Sequence, residues 1–216
     1  MDSTKKERCI QKARELAVEY QGTLVGCGHC SFAATLDALR TEGIEIVPKE
    51  IEEELFKGVL GLTGGIGNLG VGTCGAVSGA SFAISLACNI GPKELAPNKA
   101  LRWIPYYYVK EGLLKPWMEK YGGITCRETQ LKIFGIAINS RIPTNNKALF
   151  EEAQRIKCRN ASRCTIANAA ALATQTILDI IENPKELKWI GCNEETTIAN
   201  LLDMIEHPDD PKWKNA

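Results

Sequence analysis

The chain has 216 residues, 26 of them basic and 26 acidic, so it carries no formal net charge. Apolar residues make up 44% and charged residues 24%, the balance of an ordinary globular protein rather than of a disordered or membrane-embedded one. With no basic patch, nucleic acid is excluded as an expected partner.

In Lys5–Tyr20, apolar residues recur at Cys9, Ala13, Leu16, Ala17 and Tyr20, which is helical spacing. Gly22–Val25 and Gly43–Val47 are the only short strand candidates. Phe32, Leu36 and Leu39 mark a second helix, with Cys30 just before it. Pro48 opens a third, whose Glu50, Glu52, Glu53 and Glu54 suit the positive end of a helix. A glycine-rich segment, Gly58 to Gly75, leads into an apolar helix from Cys74 to Cys88, expected to be the buried central one. Asn98–Tyr121 holds two short helices with Trp103, Tyr106, Tyr107, Tyr108 and Trp117, aromatics expected to pack rather than to bind substrate. Cys126–Gly135, Ser162–Glu182 and Glu194–Glu206 complete the helices. With no βαβ rhythm, the fold class is all-α: a compact multi-helix domain around a buried central helix. The expected division is a helical cysteine-rich redox domain over 1–182 and a helical extension and polar tail over 183–216.

The N-terminus is charged and lacks the apolar core of a signal peptide. The longest apolar-leaning stretch, Cys74 to Ile90, is broken by Gly and Ser and is too short to span a bilayer. The expectation is a cytoplasmic protein with no membrane partner. Nine cysteines in a reducing compartment argue against a disulfide framework and for metal or redox chemistry.

Cys30, Cys74, Cys126 and Cys164 all fall at helix starts. Unpaired amides and the helix dipole favour negative charge there, so these thiols are expected to have lowered pKa values. Cys9, Cys88 and Cys158 lie within or at the ends of helical stretches and suit core or surface packing. Cys192 remains ambiguous. The four helix-start cysteines are far apart in sequence, so spacing alone gives only a weak metal signal.

Cys74-Gly75-Ala76-Val77-Ser78-Gly79 matches a Cys-Gly-Ala-x-x-Gly motif, preceded by Gly64-Gly65-Ile66-Gly67. His29-Cys30-Ser31-Phe32-Ala33 stands upstream. Gly122-Gly123-Ile124-Thr125-Cys126-Arg127-Glu128 and Cys164 with its alanine-rich helix stand downstream. From about residue 20 to residue 182, this order resembles the redox-active protein family named for its C, GCAxxG, C, C pattern. That family is similar to part of split-Soret cytochrome c, which carries haem and an iron–sulfur centre. The resemblance implies a redox role and four important cysteines, Cys30, Cys74, Cys126 and Cys164. Cys27-Gly28-His29-Cys30 is followed by Ser31, so the Cys-x-x-Cys-His haem signal is missing and no haem is expected. Cys27 is additional to the family pattern.

Two further motifs compete. Gly65-Ile66-Gly67-Asn68-Leu69-Gly70 is a literal GxGxxG, but the run before it is helical where a dinucleotide site needs a strand; the glycines instead let the backbone bend close to Cys74. Cys27-Gly28-His29-Cys30 equals the tetrapeptide of protein disulfide isomerases, yet the chain lacks a thioredoxin-like strand pattern. His29 has three open roles, ligating a metal, tuning Cys30 or facing solvent, the last the commonest; Arg127 and Glu128 either tune the Cys126 thiol or form a plain surface pair.

Three functions follow. The first is an iron–sulfur redox protein, an electron carrier or reductase whose cluster is ligated by Cys30, Cys74, Cys126 and Cys164. There Cys27 is a bystander or a spare ligand. The second is a metal-free thiol–disulfide oxidoreductase with Cys27 and Cys30 as its catalytic pair. The third is a structural zinc protein, disfavoured because only one close cysteine pair exists. The redox partner, a protein or a small-molecule acceptor, is not specified, and a homodimer is an expectation from the family resemblance together with the aromatic segment.

Overall fold

The computed structural model describes residues 2–138 and 164–185, with isolated positions beyond. The helices are α1 (Ser3–Thr23), α2 (Cys27–Thr41), α3 (Lys49–Val59), α4 (Gly75–Ala87), α5 (Pro92–Leu95), α6 (Trp103–Tyr108), α7 (Lys115–Tyr121), α8 (Cys126–Phe134) and α9 (Thr165–Glu182). Among the described residues there is no strand, and the all-α expectation holds. The two strand candidates fail for local reasons. Gly22 and Thr23 continue α1, and Gly43 turns the chain in the left-handed region at φ 77°.

Helices α1, α2, α4 and α9 pack on one another to form the core. Of these, α2 is buried on the most sides. Helix α2 buries residues on every side, from Cys30 and Phe32 through Ala34, Leu36, Ala38 and Leu39. Helix α4 is buried in the core as expected, through Ala76, Val77, Ala80, Ala83 and Ile84, with Phe82 and Leu86 half-buried against it. Small residues set the approach of α2 to α4. A Cβ at Gly79 would collide with the carbonyl oxygen of Gly28 and with Ser31 Oγ, so only glycine fits. Ser31 Oγ donates across the crossing to Ala76 O at 3.0 Å.

Residues 99–121 run nearly unbroken rather than as two helices. A 3₁₀ turn (Lys99–Arg102) leads into α6, a π-helical segment (Val109–Leu114) and α7. The π-helical segment packs on α9. Trp117 and Tyr108 are buried, as expected of packing aromatics, while Tyr106 is exposed. The polar residues of α2 and α3 form one ion-pair network: Arg40 donates to Asp37 (2.6 Å) and Glu52 (2.7 Å), and Lys49 donates to both. Cys158, Cys192, the Glu194–Glu206 helix and nearly all of 183–216 lie outside the described residues.

Candidate functional site: cysteines at converging helix starts

Helix α2 begins at Cys27, so Cys27 is its first residue and Cys30 sits in its first turn, not before it. Cys74 and Cys164 are the N-cap residues of α4 and α9, and Cys126 is the first residue of α8. A short bridge joins two of these starts. Thr73 pairs antiparallel with Thr125; the Cys74 N–H donates to Ile124 O (2.8 Å) and the Cys126 N–H to Gly72 O (2.9 Å). Sequence patterning could not show this bridge, because it involves one residue on each side and no strand.

The glycine loop folds over the same end. Gly65, at φ 77°, brings its backbone against Cys126, to whose Cβ a Cβ at position 65 would lie 3.0 Å. The loop thus approaches Cys126 and Cys27 rather than Cys74 alone. It is preceded by α3 and a 3₁₀ turn, as the argument against a dinucleotide site required. Val25 and Ile66, both β-branched, hold left-handed φ values of 53° and 62° beside the cysteines. Such conformations cost about 1–3 kcal/mol each and gather at functional sites.

Five cysteines share this end. Negative charge on Cys27 or Cys164 bears on Cys30, charge on Cys27 or Cys126 bears on Cys74, and charge on Cys27 bears on Cys126. Cys30 is fully buried, as is Cys164, and Cys74 and Cys126 are nearly so; Cys27 is half-buried. No disulfide joins the described cysteines.

The expectation of lowered thiol pKa values is reversed. Burial pushes the Cys30 thiol up to about 12 and Cys126 to about 11, and raises Cys74 and Cys27 as well. Helix-start amides oppose this. Those of Ala76 and Val77 lower Cys74, and those of Gly64, Ala76 and Gly75 lower Cys27, but desolvation is larger. Without a bound cation these side chains are therefore neutral thiols at pH 7.

Other residues at the site carried no sequence signal. Gln130 Nε2 donates to Cys126 Sγ at 3.2 Å, one helical turn along α8. Tyr121 lies near Cys74 and Cys164, and its hydroxyl accepts from Asn168 Nδ2 (2.7 Å), whose Oδ1 accepts from Arg14 (2.7 Å). These contacts span distant parts of the chain.

His29 is buried, not exposed. Its ring packs on Phe56 at 5.1 Å between centroids, and Nε2 lies 3.3 Å from Leu24 O. Burial lowers its pKa, so it is a neutral structural ring. Glu128 completes a capping box with Thr125 at the start of α8 rather than pairing with Arg127. Cys9 sits alone in the core and donates to Ala38 O at 3.4 Å; Cys88 ends α4, half-buried.

The donor chemistry, sulfur with backbone amides, suits a thiophilic metal centre. A single zinc ion needs its donors around one point, with Zn–S about 2.3 Å. Among the described residues no three Cys, His, Asp or Glu side chains are so placed. A polynuclear cluster distributes its thiolates over several metal ions, and its donors stand further apart.

A helical scaffold holding a buried set of thiols at converging helix starts defines a cysteine-centred protein. The chain belongs to the family described as "Putative redox-active protein (C_GCAxxG_C_C)", whose model matches residues 25–175. No curated protein and no solved structure matches it. Among the described residues no helix is long and apolar enough to cross a membrane.

Proposed function

We propose that this redox-active protein binds an iron–sulfur cluster, with Cys30, Cys74, Cys126 and Cys164 as thiolate ligands. What supports this reading is that cysteines at four separate helix starts are buried, that Cys74 and Cys126 are joined through a short backbone bridge, and that Cys30 feels the charge of Cys164 and Cys74 that of Cys126. When bound, such a cluster supplies one-electron redox chemistry. The chain's part is to bury the thiolates, direct amides at them and exclude water; hydrogen bonds to sulfur and low exposure set the potential.

Burial also favours this reading over metal-free thiol exchange by Cys27 and Cys30. An exchange nucleophile must be ionised and accessible. Burial raises the thiol of Cys27, the first and attacking member of the pair, and Cys30 is fully buried with its thiol pushed up to about 12. Metal coordination offsets the desolvation that otherwise keeps these thiols protonated.

Anaerobic purification, a visible absorption spectrum and assays of iron, sulfide and zinc test the proposal. A brown protein with iron and acid-labile sulfide is expected. A protein that stays colourless after reconstitution with iron and sulfide, or that holds zinc alone, would overturn it.

A further inference from the structure

No Asp, Glu, Lys or Arg stands between Tyr20 and Asp37 or between Lys57 and Lys93, in a chain that carries 26 basic and 26 acidic residues. The turn into α2 and the glycine loop therefore add no charge to the surface they share. His29 joins them: its Nε2 lies 3.3 Å from Leu24 O, and its Nδ1 lies 3.5 Å from Thr63 Oγ1. On these two segments Leu24, Val25, Leu60, Ile66, Leu69 and Val71 are 43–53% exposed. Together they bare on the order of 500 Å² of aliphatic surface, against roughly 300–600 Å² for the largest patch on a typical monomer. Val25 and Ile66 hold left-handed backbone, which Asn or Gly would accept more readily and with less apolar exposure. A solvent-facing loop gains nothing from aliphatic residues at such positions.

From this surface we infer that two copies of the chain pair through the turn into α2 and the glycine loop. The uncharged face meets itself without like-charge repulsion, as a two-fold interface requires, since each patch is then its own partner. Interfaces between copies are also the more apolar kind, with charge depleted at their centre. With the loop backbone added, the patch approaches the roughly 800 Å² per partner of a standard interface. A transient partner steered by charge finds nothing on these segments to steer it. Pairing also acts on the cysteines. The same loop sets Gly65 against Cys126 and the Gly64 N–H on Cys27 Sγ (3.4 Å), so the second copy holds the cover of both in place. The inference does not rest on the cluster reading; a chain without iron pairs through this face equally.

Light scattering on the reduced, metal-free full chain at rising concentration, with hydrogen–deuterium exchange mapped along the sequence, tests the inference. The wild type is expected to reach the mass of two chains, and exchange over residues 60–72 and at Leu24 and Val25 is expected to slow as it does so. The double variant Val25→Asn, Ile66→Asn is expected to stay at the mass of one chain. Asn accepts left-handed backbone more readily than a β-branched residue, so this variant keeps its fold, which circular dichroism checks. Tyr106→Ser, at an exposed aromatic of α6 outside the patch, is expected to pair like the wild type. A wild type that remains a single chain at every concentration overturns the inference. So does a dimer whose protection falls elsewhere, or one that Tyr106→Ser dissolves and the double variant leaves intact.

Discussion

Cys9 and the helix-start cysteines are buried to similar degrees, and burial raises the thiols of both. Their surroundings differ. Cys9 lies in the body of α1, has no other thiol among the groups that shift it, and contacts one carbonyl of α2. The helix-start cysteines lie within one another's electrostatic reach, and amides of α4 oppose the burial of Cys27 and Cys74, joined at Cys27 by the Gly64 N–H of the glycine loop. Neither burial nor a shifted pKa separates the two groups of thiols. What separates them is the company the sulfur keeps, which depends on how closely the helix starts approach.

The largest effect should come from forcing that approach apart. Gly79→Ala places a methyl group against Gly28 O and Ser31 Oγ, where the α2 and α4 backbones touch. Overpacking of this kind costs about 1–3 kcal/mol, and more where backbone rather than a side chain must yield. Helix α2 carries Cys27 and Cys30, and α4 follows Cys74, so the variant should lose stability and cluster together. Gly58→Ala, in the last turn of α3 with open space at its Cβ, is the control. It should leave cluster content unchanged and raise stability by roughly 0.4–1 kcal/mol. Urea unfolding and iron assays on both proteins decide this; equal losses would mean that the close crossing does not hold the site.

A smaller and more local effect is expected from the two ends of α4. Cys74→Ser removes a sulfur at the N-cap, while Cys88→Ser changes a half-buried thiol at the C-cap. Iron and sulfide content should fall sharply in the first and stay near wild type in the second. Comparable losses in both would dissolve the distinction between site and body cysteines.

The helix starts were legible because glycine, proline and the Cys-Gly-Ala motif punctuate the sequence, and the cysteines at them could be picked out. Their ionisation was not. Unpaired amides at a helix start are a local property, whereas desolvation depends on everything packed above the thiol, and at Cys30 and Cys74 desolvation is larger. The junction of Cys74 with Cys126 was equally hidden, since the Thr73–Thr125 bridge leaves no alternating pattern. The seat of Cys27 was hidden too: it falls outside the family pattern, and only the structure shows that Gly75, within the motif, makes room for its sulfur. The burial of His29 was not legible, because a lone histidine near a turn gives no sign of Phe56, which reaches it from α3.

The last and smallest effect concerns pH in the reduced, metal-free protein. The Cys9 thiol is pushed up from 9.0 to about 11, first by burial and then by the charge of Glu42, with Lys5 opposing. Between those values the native protein keeps a proton that the unfolded chain has released. The native state then binds more protons, so stability must fall as pH rises. This contribution is fully present below pH 9 and is lost as pH climbs through 11. Each such thiol steepens the decline by at most about 1.4 kcal/mol per pH unit. Cys9→Ala removes one of them without touching the helix starts. Its unfolding free energy, from urea titrations between pH 7 and pH 10.5, should therefore fall less steeply above pH 9 than that of the wild type. At pH 7 the variant should be less stable by roughly 1 kcal/mol, the ordinary cost of a core truncation this small. Parallel curves across the alkaline range would show that Cys9 ionises as easily in the fold as in the unfolded chain, and burial would no longer suffice to explain the raised thiols at the helix starts.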